Sequence, residues 1–120
     1  MDNHFFFFVG LSYILTHEMD ALRCQEWTLF PLVSRLKAKT GYFIFTGIHI
    51  PLYFLLFWGL YDKNGLNLCA IRGLDIFFII HVFLHILFLK HPKNQFKSAI
   101  SWMIILGSGI SGAIDLIARY

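Results

Sequence analysis

The chain has 120 residues, of which 58% are hydrophobic, 18% aromatic and only 14% charged, with a mean hydropathy of +0.65. A soluble domain of this size could not hide so much apolar surface, so the composition points to a membrane protein, and its length allows roughly four crossings in one domain, 1–120. The formal charge of +3 does not indicate a nucleic-acid partner, because the Lys and Arg residues sit in the connections between apolar runs rather than on one face.

In chain order, a first helix is expected over about 5–30, with Pro31 as its stop. A second is expected over about 41–61, bent locally at Pro51, and a turn-rich DKNGLN stretch follows it. A third helix covers about 69–90 and a fourth about 96–118, with Pro92 in the loop between them. The expected fold is therefore all-α, an integral membrane bundle of four transmembrane helices. Arg35, Lys37 and Lys39 in the first connection and Lys90, Lys93 and Lys97 at the third outnumber Lys63 and Arg72 at the second. The positive-inside rule then puts both termini outside a plasma (inner) membrane. No basic region precedes Phe5 and the apolar run ends in His-Glu-Met-Asp, so no removable signal peptide is read. Cys24 and Cys69 give neither a metal spacing nor a disulfide framework.

The costly feature is the block of ionisable residues that closes the first helix: His17, Glu18, Asp20, Arg23 and Glu26. Each charge near a bilayer centre costs several kcal/mol, so the block requires partners, a cavity or a metal. At ~1.5 Å of rise per residue, His17, His49 and His81 lie roughly 15, 12 and 14 Å from the cytoplasmic helix ends, with Asp20 and His85 about one turn shallower. Three helices thus bring imidazoles to one level. His81 and His85 are i and i+4, and His17, Glu18 and Asp20 share the inward arc of the first helix.

This pattern suits a transition metal, Zn²⁺ or Fe²⁺, as one or two ions. The candidate ligands are His17, Asp20, His49, His81 and His85, with Glu18 as general acid or base. The reaction would be that of a metal-dependent membrane enzyme on a lipidic or small apolar substrate drawn from the surrounding membrane lipids. Two other classes fit parts of the pattern. His49 and His81 on facing helices could ligate haem or a chlorophyll magnesium in a redox or light-harvesting subunit. The Ser/Gly stripe of the fourth helix, Ser101, Ser108, Ser111 and Gly112, could dock a homo-oligomer partner or a larger membrane complex in a module without chemistry. His17-Glu18 opens like H-E-x-x-H, but Ala21 stands at the fifth position and that zinc-protease motif is absent. Asp75, Asp115, Arg72 and Arg119 read as outer interface charges with room for one ion pair between helices 3 and 4, and Arg23 with Glu26 as an i, i+3 pair at the inner interface.

The segment Thr16-His17-Glu18-Met19-Asp20-Ala21, followed by Glu26-Trp27 and Phe30-Pro31, resembles a group of small uncharacterised four-helix membrane proteins marked by T-H-E-x-D-A and E-W-x-x-F-P. It is loosely similar to the HXXEE-domain membrane proteins, presumed enzymes. It matches them at His17 and departs at Asp20 and Ala21, where that pattern has two glutamates. Neither resemblance implies a substrate.

Overall fold

The computed structural model describes residues 4–30 and 33–119. Four helices, α1 (Phe5–Arg23), α2 (Ala38–Leu60), α3 (Leu68–Leu87) and α4 (Ala99–Arg119), are each long and apolar enough to cross a membrane. At ~1.5 Å per residue they span about 30 Å, the thickness of a hydrocarbon core. The molecule measures 45 × 28 × 20 Å, so its long axis also covers the headgroup regions. Side chains such as Ile50, Phe83, Leu87 and Ile117 are mostly exposed on its flanks, an arrangement that requires lipid as solvent.

Local chemistry sets the helix ends. Asn67 accepts a hydrogen bond from the Ala70 amide and Ser98 Oγ one from the Ser101 amide, satisfying orphan donors at the starts of α3 and α4. Between α2 and α3 the chain reverses through a minimal hairpin, β1 (Tyr61–Asp62) against β2 (Gly65–Leu66), with Gly65 at φ +132°, where a side chain would be strained. Pro51 lies inside α2, which runs unbroken as one assigned helix.

The first helix departs from expectation. It ends at Arg23, seven residues short of Phe30, because Gln25 takes the left-handed conformation (φ 49°) and a 3-10 turn, Glu26–Leu29, follows. Pro31, the expected stop, lies outside the described residues.

The packing is unequal. α4 lies along both α1 and α3, whereas α2 touches α1 and α3 at few points, and only 6% of its apolar window is buried. The Ser/Gly stripe explains the difference. Ser101, Ser108, Gly109, Ser111 and Gly112 are all buried. A Cβ on Gly112 would stand 2.8 Å from the Asp75 carbonyl oxygen, so α3 and α4 approach closely only because that position is bare. The stripe expected as a docking face is thus used inside the chain. Lys93 Nζ donates to the Ser34 carbonyl oxygen at 2.9 Å, which ties the first and third connections together at one end of the bundle.

Candidate metal centre

At that end four side chains from three segments converge. His17 projects from α1, His81 and His85 project from consecutive turns of α3, and Glu26 folds back from the 3-10 turn beneath them. One ligand atom of each lies within 4.8 Å of the other three. The Nε2 atoms of His17 and His81 are 3.1 Å apart, those of His81 and His85 3.2 Å, and His17 Nε2 stands 3.5 Å from Glu26 Oε2. Four ligands set tetrahedrally at metal distances of about 2.0–2.1 Å would lie about 3.3–3.4 Å from one another. The three printed contacts lie near that value, and all four ligand atoms lie within 4.8 Å of one another.

Hydrogen bonding alone does not account for the cluster. An imidazole nitrogen carries either one hydrogen or one lone pair, so His81 Nε2 cannot satisfy both His17 and His85 at once. Glu26 Oε2 is buried and finds no hydrogen-bond partner among the described residues. A cation would accept all four lone pairs together, and the donor set, three imidazoles and one carboxylate, suits a first-row transition metal.

The rings are held by packing. Phe96, buried at the start of the α4 segment, stacks on His17 (centroids 5.4 Å apart, planes at 29°) and meets His85 edge-on at 4.6 Å. The Nδ1 atoms of His17 and His81 are buried without a hydrogen-bond partner among the described residues, so aromatic contact does the orienting that carboxylates or carbonyls usually supply. A cavity of about 40 Å³ abuts the cluster, lined by Glu26, His81, His85, Leu29, Leu84 and Phe88, enough for a water or a small apolar molecule.

Of the residues expected at the site, His17, His81 and His85 come together; Asp20, His49 and Glu18 do not join them. Asp20 turns toward α4, where its Oδ2 accepts from Ser101 Oγ at 2.5 Å and its Oδ1 pairs with Arg23 at 2.8 Å. Arg23 therefore pairs with Asp20 rather than with Glu26. His49 is held on α2, where its Nε2 lies 2.5 Å from Glu18 Oε2 and its Nδ1 2.5 Å from the Phe45 carbonyl oxygen. One step of ~100° separates His17 from Glu18, so the two side chains leave α1 toward different neighbours. His49 is therefore engaged with Glu18 and the Phe45 carbonyl and does not reach the imidazoles of α3.

Glu26 is the residue that helical reasoning missed. Continued as a helix, α1 would carry Glu26 away from His17, and only the reversal at Gln25 returns it. The signal available was the E-W-x-x-F-P motif, which begins at this residue.

A second buried group lies toward the other end. Asp115 pairs with Arg119 one turn along α4 at 2.7 Å. Asp75 is fully buried on α3, and neither of its carboxyl oxygens has a hydrogen-bond partner among the described residues.

Over residues 3–120 the chain matches the family of unknown function (DUF6713), and it belongs to that family. No curated protein and no solved structure matches it.

Proposed function

We propose that the protein is a metal-dependent integral membrane enzyme acting on a lipidic or small apolar molecule, with one Zn²⁺ or Fe²⁺ held by His17, Glu26, His81 and His85. The observation that carries this reading is the convergence of three Nε2 atoms and one carboxylate oxygen within 4.8 Å of one another. One ion is favoured over two because Glu18 and Asp20, the carboxylates that would bridge a pair, are engaged with His49 and with Ser101 and Arg23.

A bound ion of this kind supplies Lewis acidity or activates a water. The protein's own contribution is to hold three neutral imidazoles and one carboxylate in a dry pocket, where a divalent cation meets a single compensating charge, and to keep a small cavity open against them. Leu84 is half exposed on the flank of α3, so the cavity is reached from the lipid side of that helix. Glu18, the acid–base group expected from the sequence, is engaged with His49 outside this pocket and is given no part at the metal. The basic residues of the first and third connections support a cytoplasmic position for this end of the bundle.

The haem or chlorophyll reading is disfavoured by space. A macrocycle needs a slot of several hundred Å³ between its axial ligands, and the cavity beside His81 and His85 offers about 40 Å³. Purification in detergent without chelator, followed by elemental analysis, tests the proposal: close to one equivalent of a single transition metal is expected, and only traces of every transition metal in a folded sample would refute it.

A further inference from the structure

Beside the His17–Glu26–His81–His85 cluster, on a neighbouring face of α1, lies a cavity of about 280 Å³ in the cleft between α1 and α2. Met19 and Leu22 of α1 and Phe45, Thr46, Ile50 and Tyr53 of α2 form its walls, and Glu18 and His49 are its ionisable lining. Met19 and Ile50 are both about three-quarters exposed, so the mouth opens sideways to lipid rather than toward either aqueous face. Because α2 is weakly attached to the other helices, the cleft can widen without disturbing the α1–α3–α4 core.

This ionisable pair has a definite charge state. The Phe45 carbonyl can only accept, so His49 Nδ1 carries a hydrogen. Nε2 then either accepts from a protonated Glu18 or, in imidazolium form, donates to the Glu18 carboxylate. Both arrangements share one proton and are neutral overall. Among the described residues no Lys or Arg lines the cleft. A phosphate or carboxylate headgroup would bring into this low-dielectric wall a charge that the neutral pair does not compensate, which is strongly unfavourable. A neutral hydroxyl brings no charge and can donate to a remaining lone pair of the Glu18 carboxyl, the pair's own hydrogens being used within it and on the Phe45 carbonyl.

We infer that the α1–α2 cleft binds a neutral single-chain amphiphile of the long-chain alcohol type, its chain against Met19, Leu22, Phe45 and Ile50 and its hydroxyl on the Glu18–His49 pair. The volume lies at the low end of the range for small-molecule sites and suits one chain, not the two of a phospholipid. This deepens the proposed reading, since it names the molecule that would be drawn from the bilayer, but the binding itself does not need the metal.

The test uses the full chain in nanodiscs of a zwitterionic phospholipid and a photoreactive hexadecanol bearing a diazirine, with crosslinked peptides mapped by mass spectrometry. Labelling is expected to concentrate on Met19, Leu22 and Ile50 and to be competed by unlabelled hexadecanol about tenfold better than by hexadecane, the ratio worth one hydrogen bond to a charged group. Glu18→Gln and His49→Ala should remove that preference, and Thr46→Trp or, at the mouth, Ile50→Trp should block the label. The double variant His81→Ala/His85→Ala should keep labelling while losing metal, which separates failure of this inference from failure of the metal reading. Label spread evenly over lipid-facing residues such as Phe54, Phe83 and Ile117 would overturn the inference, as would stronger competition by palmitic acid or hexadecylamine than by the alcohol.

Discussion

Replacing Glu26 by Gln is the most direct trial of the ligand set, because helical reasoning alone would select Asp20 instead. The substitution keeps volume and removes the carboxylate charge, leaving the three imidazoles in place. Binding of a structural zinc ion by four ligands is worth about 10–16 kcal/mol, or about 2.5–4 kcal/mol per ligand, which corresponds to a weakening of roughly 10²- to 10³-fold in Kd. The Gln carbonyl oxygen remains a weak ligand, so the lower part of that range is expected. The assay is competition against a chromophoric chelator in detergent, with helicity and monodispersity checked in parallel. Asp20→Asn and His49→Ala serve as controls, since Asp20 bonds to Ser101 and Arg23 and His49 to Glu18 and Phe45. Both should bind metal like the parent protein. Wild-type affinity in Glu26→Gln, or loss of metal in Asp20→Asn with Glu26 intact, would refute the assignment.

Three further outcomes are expected. Phe96→Ala should lower stability by about 3–5 kcal/mol for a large buried aromatic and, by freeing the His17 and His85 rings, weaken metal binding by about tenfold, both read from thermal melts and chelator competition. Gly41→Ala should destabilise by about 1–3 kcal/mol because the new Cβ would collide with the Trp27 indole, whereas Gly47→Ala, which faces open space, should leave the melting temperature unchanged or raised. Ser101→Ala should remove about 1.5–3 kcal/mol by depriving the half-buried Asp20 of its hydroxyl donor, with metal content unaltered; a loss of metal would tie α4 to the centre more closely than its contacts indicate.

The four spans were legible because each is a long run of apolar residues bounded by turn residues and basic connections, and a bilayer accepts few other arrangements. The level of His17 and His81 was legible for the same reason, since rise per residue is fixed. What could not be read was which helix faces which. With α2 and α3 apolar on nearly all sides, only the Ser/Gly stripe of α4 marks a packing face, so the level of His49 was legible but not its neighbour, Glu18. The end of α1 was hidden as well. Gln25 in the left-handed region is rare for a residue other than Gly, Asn or Asp, and nothing local announces it.

That reversal gives the short segment from His17 to Asp20 its logic. Steps of ~100° along α1 send His17 toward α3, Glu18 toward α2 and Asp20 toward α4, so three adjacent ionisable groups are divided among three partners rather than pooled. Each destination contains what neutralises the arriving group: Glu26 and two further imidazoles, the His49 ring, and the Ser101 hydroxyl with Arg23. α2 is then required despite its thin packing, because without His49 the Glu18 side chain would stand against lipid with no partner. The two cavities follow from the same division, since a helix that sends different chemistry toward α3 and toward α2 leaves the His17–Glu26–His81–His85 cluster beside one neighbour and the Glu18–His49 cleft beside the other.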